Sequence, residues 1–403
     1  MLHPFSSPLY LMAKPAGAAC NLRCDYCYYL EKARLFTRQD APVMSDELLE
    51  RFVEDYIGCQ TTPEVQFCWH GGEPLLRPVS FYKKALKLQR QYARGRKIDN
   101  IIQTNGTLIN DEWARFFRQN NFLVGVSIDG PKELHDHYRR SPQNEGSWDR
   151  VMRGIRCLQK YNVDWNAMAV VNDVTADHPL EFYRFFKSID CQYLQFTPIV
   201  ERLQSHSDGR HLANPLDGDE PQLAPFSVTP KKWGEFLCAI FDEWVRKDVG
   251  KMFVQIFDST LACWMGEQPS VCTMARDCGH AAVMEHNGDV YSCDHFVFPE
   301  YRLGNILSDS ILSMMKSQRQ LEFGRVKHGA LPLQCQQCEW GFACNGECPK
   351  NRFCTTSSGE RGLNYLCEGY HAFFEHAAPA MDIMKRLLQR QLPPALIMEG
   401  LKI

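Results

Sequence analysis

Cys20-Asn-Leu-Arg-Cys24-Asp-Tyr-Cys27 stands directly after the short apolar run Tyr10–Ala13, and this placement decides the reading of the rest of the chain. Three thiols in so short a loop return to a common centre, and three leave one position of a four-thiolate cluster open to another ligand. A zinc site completed from elsewhere, or simply buried cysteines, are the alternatives that spacing leaves open. Further apolar runs follow at Val65–Trp69, Ile101–Gln103, Phe122–Ile128, Trp165–Val171 and Tyr193–Phe196. Each is short, rich in Val, Ile and aromatics, and bounded by Gly, Asn or Pro, as a strand is. Between them, Phe81–Tyr92, Glu112–Asn120, Val151–Tyr161 and Leu180–Ser188 carry apolar residues at helical spacing. Six strand–helix alternations predict an α/β chain with a parallel sheet and right-handed crossovers. An open, partial (β/α)6 TIM-like barrel fits, with chemistry on the loops after the strands.

The periodicity breaks at residues 201–227, read as a long loop of functional weight. Trp233–Val245 predicts one more helix. Beyond about residue 250 cysteines take over, and helical spacing returns from His371, interrupted by Pro393 and Pro394. The expected domains are 1–248, a barrel; 249–370, a cysteine-rich module; and 371–403, a helical tail.

Bulk properties exclude several classes. The 403 residues suggest roughly two to three domains. A net charge of −3 without a dense basic stretch argues against a nucleic-acid binder. No apolar run reaches membrane-spanning length and no secretory signal opens the chain, so a cytoplasmic protein without a membrane partner is expected. In a reducing compartment, 18 cysteines read as metal ligands or apolar fillers rather than disulfides. Eight of them form a second system: Cys272, Cys278 and Cys293, then Cys335, Cys338, Cys344 and Cys348, then Cys367. Eight ligands suffice for two fully ligated sites, with zinc as the chemical rival to iron–sulfur. Cysteines 59, 68, 157, 191, 238, 263 and 354 lack ligand spacing and are expected as buried apolar side chains.

The CxxxCxxC loop after a first strand resembles the signature of the radical S-adenosylmethionine (AdoMet) superfamily. That resemblance implies a 4Fe–4S cluster whose open iron chelates AdoMet and cleaves it to a 5′-deoxyadenosyl radical. It makes Tyr26 the aromatic near the adenine, Gly72 and Glu73 of Gly-Gly-Glu-Pro the contacts to the methionyl ammonium, and Ser127 and Arg139 ribose and carboxylate contacts. Val200 would add an apolar or backbone contact. The bland reading of Arg139 is a solvated charge at a helix end. The later cysteines resemble a SPASM domain, which implies two auxiliary 4Fe–4S clusters, three clusters in all. Cys272, Cys278, Cys293 and Cys348 would hold one auxiliary cluster, and Cys335, Cys338, Cys344 and Cys367 the other. The turn at Gly288 in Glu-His-Asn-Gly-Asp reads as a hairpin.

Longer stretches narrow the resemblance. Cys-Asn-Leu-x-Cys-x-Tyr-Cys-Tyr-Tyr-Leu-Glu-Lys32, Ser-Ile-Asp-Gly-Pro131, Asn-Gly-Asp-Val-Tyr-Ser-Cys-Asp-His295 and Cys-Asn-Gly-Glu-Cys-Pro-Lys350 are similar to the anaerobic sulfatase-maturating enzymes. This implies oxidation of a cysteine or serine of a sulfatase polypeptide to Cα-formylglycine, with a reduced flavodoxin or ferredoxin-type electron donor. Asp294 would be the base, its bland reading a turn-capping aspartate, and Tyr29 would line the same pocket. One departure is His70, where the family commonly has Gln; a histidine there can carry charge near neutral pH. The rivals are a SPASM maturase crosslinking another peptide and a zinc-stabilised binding protein without catalysis. Only 19 residues precede Cys20, which favours sulfatase maturation over maturases with a leader-binding domain.

Overall fold

The computed structural model describes residues 8–36, 43–204, 212–213 and 222–400. Its strands run β1 (Tyr10–Ala13), β2 (Glu64–Trp69), β3 (Lys97–Thr104), β4 (Phe122–Ser127), β5 (Trp165–Val171), β6 (Tyr193–Pro198), β7 (Arg202–Leu203), β8 (Gln222–Leu223), β9 (Phe253–Val254), β10 (Ala281–Met284), β11 (Asp289–Tyr291), β12 (Arg302–Asn305), β13 (Cys354–Thr355) and β14 (Arg361–Leu363). All six strands expected from the sequence form, several a few residues longer. The chain divides into two compact units.

The first unit holds residues 1–127, 136–165 and 279–324. In it β1, β2, β3 and β4 lie side by side in parallel. In β2, Val65, Phe67 and Trp69 are buried while Glu64 and Gln66 face water, the period-two alternation of a half-covered strand. Trp69 packs with Phe52, Phe67, Phe81 and Tyr82, and its indole N–H donates to Asn100 at 2.8 Å. Fully burying each such aromatic contributes roughly 1.5–3 kcal/mol. Helix Asp46–Gly58 supplies Phe52; Ser45 caps it by accepting from the Leu48 N–H. The sequence expectation omitted this helix, since its many acidic residues dilute the apolar stripe. Asn110 caps helix Asp111–Gln119 in the same way, accepting from the Trp113 N–H.

On the other side of β1 lies a strand from far along the chain. β10 pairs with β1 in parallel, Tyr10 opposite Ala281 and Ala13 opposite Met284. The expected hairpin at Gly288, φ +89°, turns β10 into antiparallel β11, and β12 follows at the edge. Part of the cysteine-rich region therefore completes the first unit.

The second unit holds residues 128–135, 166–278 and 325–403. β5, β6 and β9 are parallel neighbours. Helix Pro230–Lys247, capped by Thr229, crosses helix Cys367–Gln389 at two facing glycines. A Cβ on Gly369 would stand 2.2 Å from the Pro230 carbonyl, so only glycine allows this approach. Trp233 against Tyr370, and Phe241 and Phe257 against Phe373, fill the crossing. Within the expected 201–227 loop, β7 and β8 form a two-residue antiparallel ribbon, while 205–211 and 214–221 fall outside the described residues. None of the 18 cysteines is in a disulfide; of those expected as fillers, Cys191 and Cys263 are buried and Cys59, Cys68, Cys157, Cys238 and Cys354 are half-buried. Among the described residues no helix is long and apolar enough to cross a membrane.

Candidate active site and cysteine centres

The loop after β1 is shaped by a neighbour from β2. Gly71 has φ +116°, and a Cβ on Gly72 would sit 2.2 Å from the Ala19 carbonyl. The Gly72 N–H donates to Gly17 and the Glu73 N–H to Ala19, each at 2.8 Å. Gly-Gly-Glu thus grips the backbone just ahead of Cys20. Glu73 is fully buried. One carboxylate oxygen accepts from the Leu75 N–H and the Thr104 hydroxyl, the other from the Asn105 N–H, all at 2.8 Å. Burial pushes its pKa up to about 7 against the pull of these donors.

The three cysteines of this loop are buried or half-buried. Cys20 Sγ accepts from the Leu22 N–H at 3.3 Å and from the Asn105 side-chain amide at 3.6 Å. Burial pushes the Cys20 thiol up to about 11, with Glu73 and Cys27 adding to it. Cys27 is likewise raised by burial, against the pull of Arg139 and Lys32. The far side of the loop is tied to the segment after the fourth crossover: the Arg23 N–H donates to Arg140 and the Asp25 N–H to Tyr138. Arg139 is buried rather than solvated, its guanidinium 5.6 Å from the centre of the Tyr26 ring. Ser127, at the end of β4, accepts from Gln103 at 3.0 Å. Tyr26, Gly72, Glu73, Ser127 and Arg139 all belong to the first unit; Val200 belongs to the second, where its carbonyl accepts from Lys350 at 2.8 Å.

Asp294 is no surface turn residue. One carboxylate oxygen accepts from the Tyr28 hydroxyl at 2.5 Å and the Tyr29 hydroxyl at 2.6 Å. The other pairs with Lys14 at 2.6 Å, and Lys14 also meets Glu285 at 2.6 Å. Lys32 donates to the Asp294 backbone carbonyl and lies 4.3 Å from the centre of the Tyr28 ring. Burial alone would raise the Asp294 pKa, but Lys14, Lys32 and His70 hold it well below the usual carboxylate range. Burial pushes Lys32 down to about 8, although Asp294 pulls the other way. His70 Nδ1 accepts from the Gly71 N–H at 2.8 Å, which leaves the proton on Nε2. Burial lowers its pKa from the ordinary imidazole value, while the nearby Asp294 pulls the other way. Lys14, Lys32, Tyr28 and Glu285 escaped the sequence reading: Lys14 and Glu285 are 271 positions apart, beyond any local motif.

In the second unit Cys335, Cys338, Cys344 and Cys367 influence one another electrostatically, and so do Cys272 and Cys278. Two buried or half-buried cations, Lys327 and Arg352, lie among them without a carboxylate ion pair among the described residues. A buried charge of that kind calls for a counter-charge, and an anionic thiolate cluster supplies one. No three His, Cys, Asp or Glu among the described residues converge closely enough to hold a single metal ion. A tetrahedral zinc needs Zn–S distances of about 2.3 Å, whereas the sulfurs around a four-iron cube stand further apart. The donor sets therefore fit clusters.

Comparison with known proteins agrees. The Radical SAM superfamily model matches residues 15–186, and the SPASM iron–sulfur cluster-binding domain model matches residues 272–339. The fold and its cysteine loop are those of a radical AdoMet enzyme with a SPASM domain, which works with AdoMet and 4Fe–4S clusters. A serine-type anaerobic sulfatase-maturating enzyme of Bacteroides thetaiotaomicron is 65% identical over 399 residues, covering 99% of this chain and 96% of that protein. A cysteine-type anaerobic sulfatase-maturating enzyme of Clostridium perfringens is 33% identical, covering 93% and 97%. The solved structure of native anSMEcpe with bound AdoMet and Cp18Cys peptide superposes with a TM-score of 0.82 at 32% identity, covering 94% of this chain and 99% of that one. This chain belongs to the anaerobic sulfatase-maturating enzymes.

Proposed function

We propose that this enzyme oxidises a serine of a sulfatase polypeptide to Cα-formylglycine, with Asp294 as the proton acceptor. The observation that carries this is the junction of Asp294 with Tyr28, Tyr29 and Lys32, a segment that begins one residue after Cys27. The stretch of backbone that carries the cysteine loop thus continues directly into the residues that hold the base. When bound, AdoMet and the clusters supply the radical that takes a hydrogen atom from the substrate Cβ and the acceptor for the electron that leaves. The chain's own residues handle the remaining proton, which must depart from the hydroxyl as the carbonyl forms. Asp294 is ionised at neutral pH, and the Tyr28 and Tyr29 hydroxyls fix its orientation. A carboxylate stabilised this strongly is a weak base by itself. Lys32, with its pKa near 8, can take the proton onward only as the free amine, the form that predominates above that pH.

Serine is favoured over cysteine because the relative at 65% identity is serine-type, while the cysteine-type relative stands at 33%. The reading includes the ligand and cofactor contacts given above, the 1–248, 249–370 and 371–403 division, and a flavodoxin or ferredoxin-type donor. The test incubates the reduced enzyme with AdoMet and peptides carrying Ser-x-Pro-x-Arg or Cys-x-Pro-x-Arg. Aldehyde formation, faster on the serine peptide, is the expected result. Asp294→Asn should still release 5′-deoxyadenosine while losing the aldehyde. Release of 5′-deoxyadenosine by the parent enzyme with neither peptide changed would point to another substrate.

A further inference from the structure

The buried cations of this protein fall into two kinds. Lys14 has two carboxylates within 2.6 Å. Lys327 is as deeply buried, yet its ammonium donates only to backbone carbonyls, of Cys272 at 2.7 Å and Thr273 at 2.8 Å. Arg352 is similar: its guanidinium donates to the carbonyls of Gly346 at 2.8 Å, Asn345 at 2.8 Å and Glu347 at 3.2 Å, and to that of Lys327. Neither forms an ion pair with a carboxylate among the described residues. Glu347 is nearby, but its carboxylate accepts from Asn351 and Asn364 instead.

The backbone that wraps Arg352 is unusual in itself. Asn345, Gly346 and Glu347 are three successive residues with positive φ, at 47°, 68° and 54°. Two non-glycine residues there adopt a conformation that L side chains rarely take, and they carry backbone strain. The turn that results points its carbonyls at a single guanidinium. It joins Cys344 to Cys348, one cysteine from each auxiliary ligand set. Arg352 also acts electrostatically on Cys278, Cys335 and Cys348, again spanning both sets, and on the Glu347 carboxylate. Lys327 acts on Cys272 and Cys278.

We propose that Lys327 and Arg352 form a fixed cationic seam between the two auxiliary ligand sets, placed to raise the reduction potentials of the clusters those cysteines hold. The inference rests on the ligand assignment in the proposed function. Its physics is simple: an added electron makes a cluster one unit more negative, and a nearby fixed cation favours that state. Net charge and surroundings are among the levers by which a protein sets such a potential. Lys327 and Arg352, neither in a carboxylate ion pair among the described residues, favour the reduced state of the clusters these cysteines hold against the opposing charge of Glu347.

The test is a redox titration of the holoenzyme, followed by electron paramagnetic resonance, on Lys327→Met and Arg352→Gln beside Lys327→Arg and Arg352→Lys. Each neutral variant should shift the oxidised-to-reduced equilibrium of an auxiliary cluster about tenfold towards oxidised, or about 59 mV for a one-electron couple. The charge-keeping variants should shift it by less than half as much. Unchanged potentials in neutral variants with full iron would overturn the proposal, as would equal shifts in the charge-keeping pair. If the neutral variants lose iron, full iron in the charge-keeping pair supports the role of charge, and loss in both pairs reduces it to packing. Cys278→Ala and Cys335→Ala test the assignment beneath it: iron unchanged in these removes the ligand reading, and the seam with it.

Discussion

At the residue scale the site is governed by how few charges are buried and how closely each is matched. Lys14 sits between Glu285 and Asp294 with almost no exposure on Lys14 or Glu285. Breaking a buried pair on one side leaves an uncompensated charge, at a cost of about 3–5 kcal/mol. Lys14→Met should therefore lower the unfolding free energy by that amount in urea titrations of the holoenzyme. Adding Glu285→Gln should restore part of it, and simple additivity of the two losses would refute the pairing. Glu73 gives a pH-dependent counterpart. Its pKa is raised from 4.5 to about 7, so its protonated form suits the folded state. The stability it contributes is full below pH 4.5 and lost as pH rises through 7. The excess stability of the parent over Glu73→Gln should shrink by about 3 kcal/mol across that window, since one pKa unit is worth about 1.36 kcal/mol. Lys32 has the opposite sense: its pKa lies below the ordinary 10.5, so its free amine gains population as pH rises through about 8. Aldehyde formed per 5′-deoxyadenosine released should rise over that interval in the parent and stay flat in Lys32→Met.

At the scale of elements, two glycine contacts do different work. Gly72 brings β2 against the loop that carries Cys20, and a methyl there would collide with two carbonyls at 2.2 and 2.4 Å. Gly72→Ala should cost iron at the first centre, seen as loss of that cluster's resonance, while auxiliary signals persist. Gly369→Ala, in the crossing with helix Pro230–Lys247, should instead destabilise the second unit by about 1–3 kcal/mol. These elements were largely legible in the sequence. Strands such as Trp165–Val171 and helices such as Val79–Tyr92 follow from apolar period and from turn residues at their ends. Helix Asp46–Gly58 was not, because Glu47, Glu50, Glu54 and Asp55 obscure a stripe that tertiary packing reveals. Cysteine spacing marked every candidate centre, whereas nothing local marks Lys327 or Arg352 as cations among thiols. Their meaning depends on which carbonyls surround them.

At the scale of the whole molecule, the site in the first unit depends on a strand whose hairpin turn is legible in the sequence but whose pairing with β1 is not. Glu285 directly follows β10, which lies beside β1, and the chain after β11 brings Asp294 to the end of β1, where Lys14 waits. Ala282→Pro would remove a backbone donor from β10 and loosen this arm. A displacement of about 1 Å can cost on the order of a hundredfold in rate. Aldehyde yield should fall accordingly, with 5′-deoxyadenosine release largely kept, as measured in parallel from one reaction.

The pairing of β1 with β10 also sets a timetable for synthesis. Residues 10 and 281 are partners, so a nascent chain emerges from the ribosome with β1, β2, β3 and β4 long before β10 exists. Until then β1 is a bare sheet edge, with unpaired backbone groups that invite other chains. Long-range parallel pairing is slow and prolongs that exposure. The growing polypeptide therefore has its CxxxCxxC loop well before Asp294 is made. Shielding of the β1 edge by a chaperone, or its lack in a foreign host, then decides how much of the translated protein reaches the finished sheet.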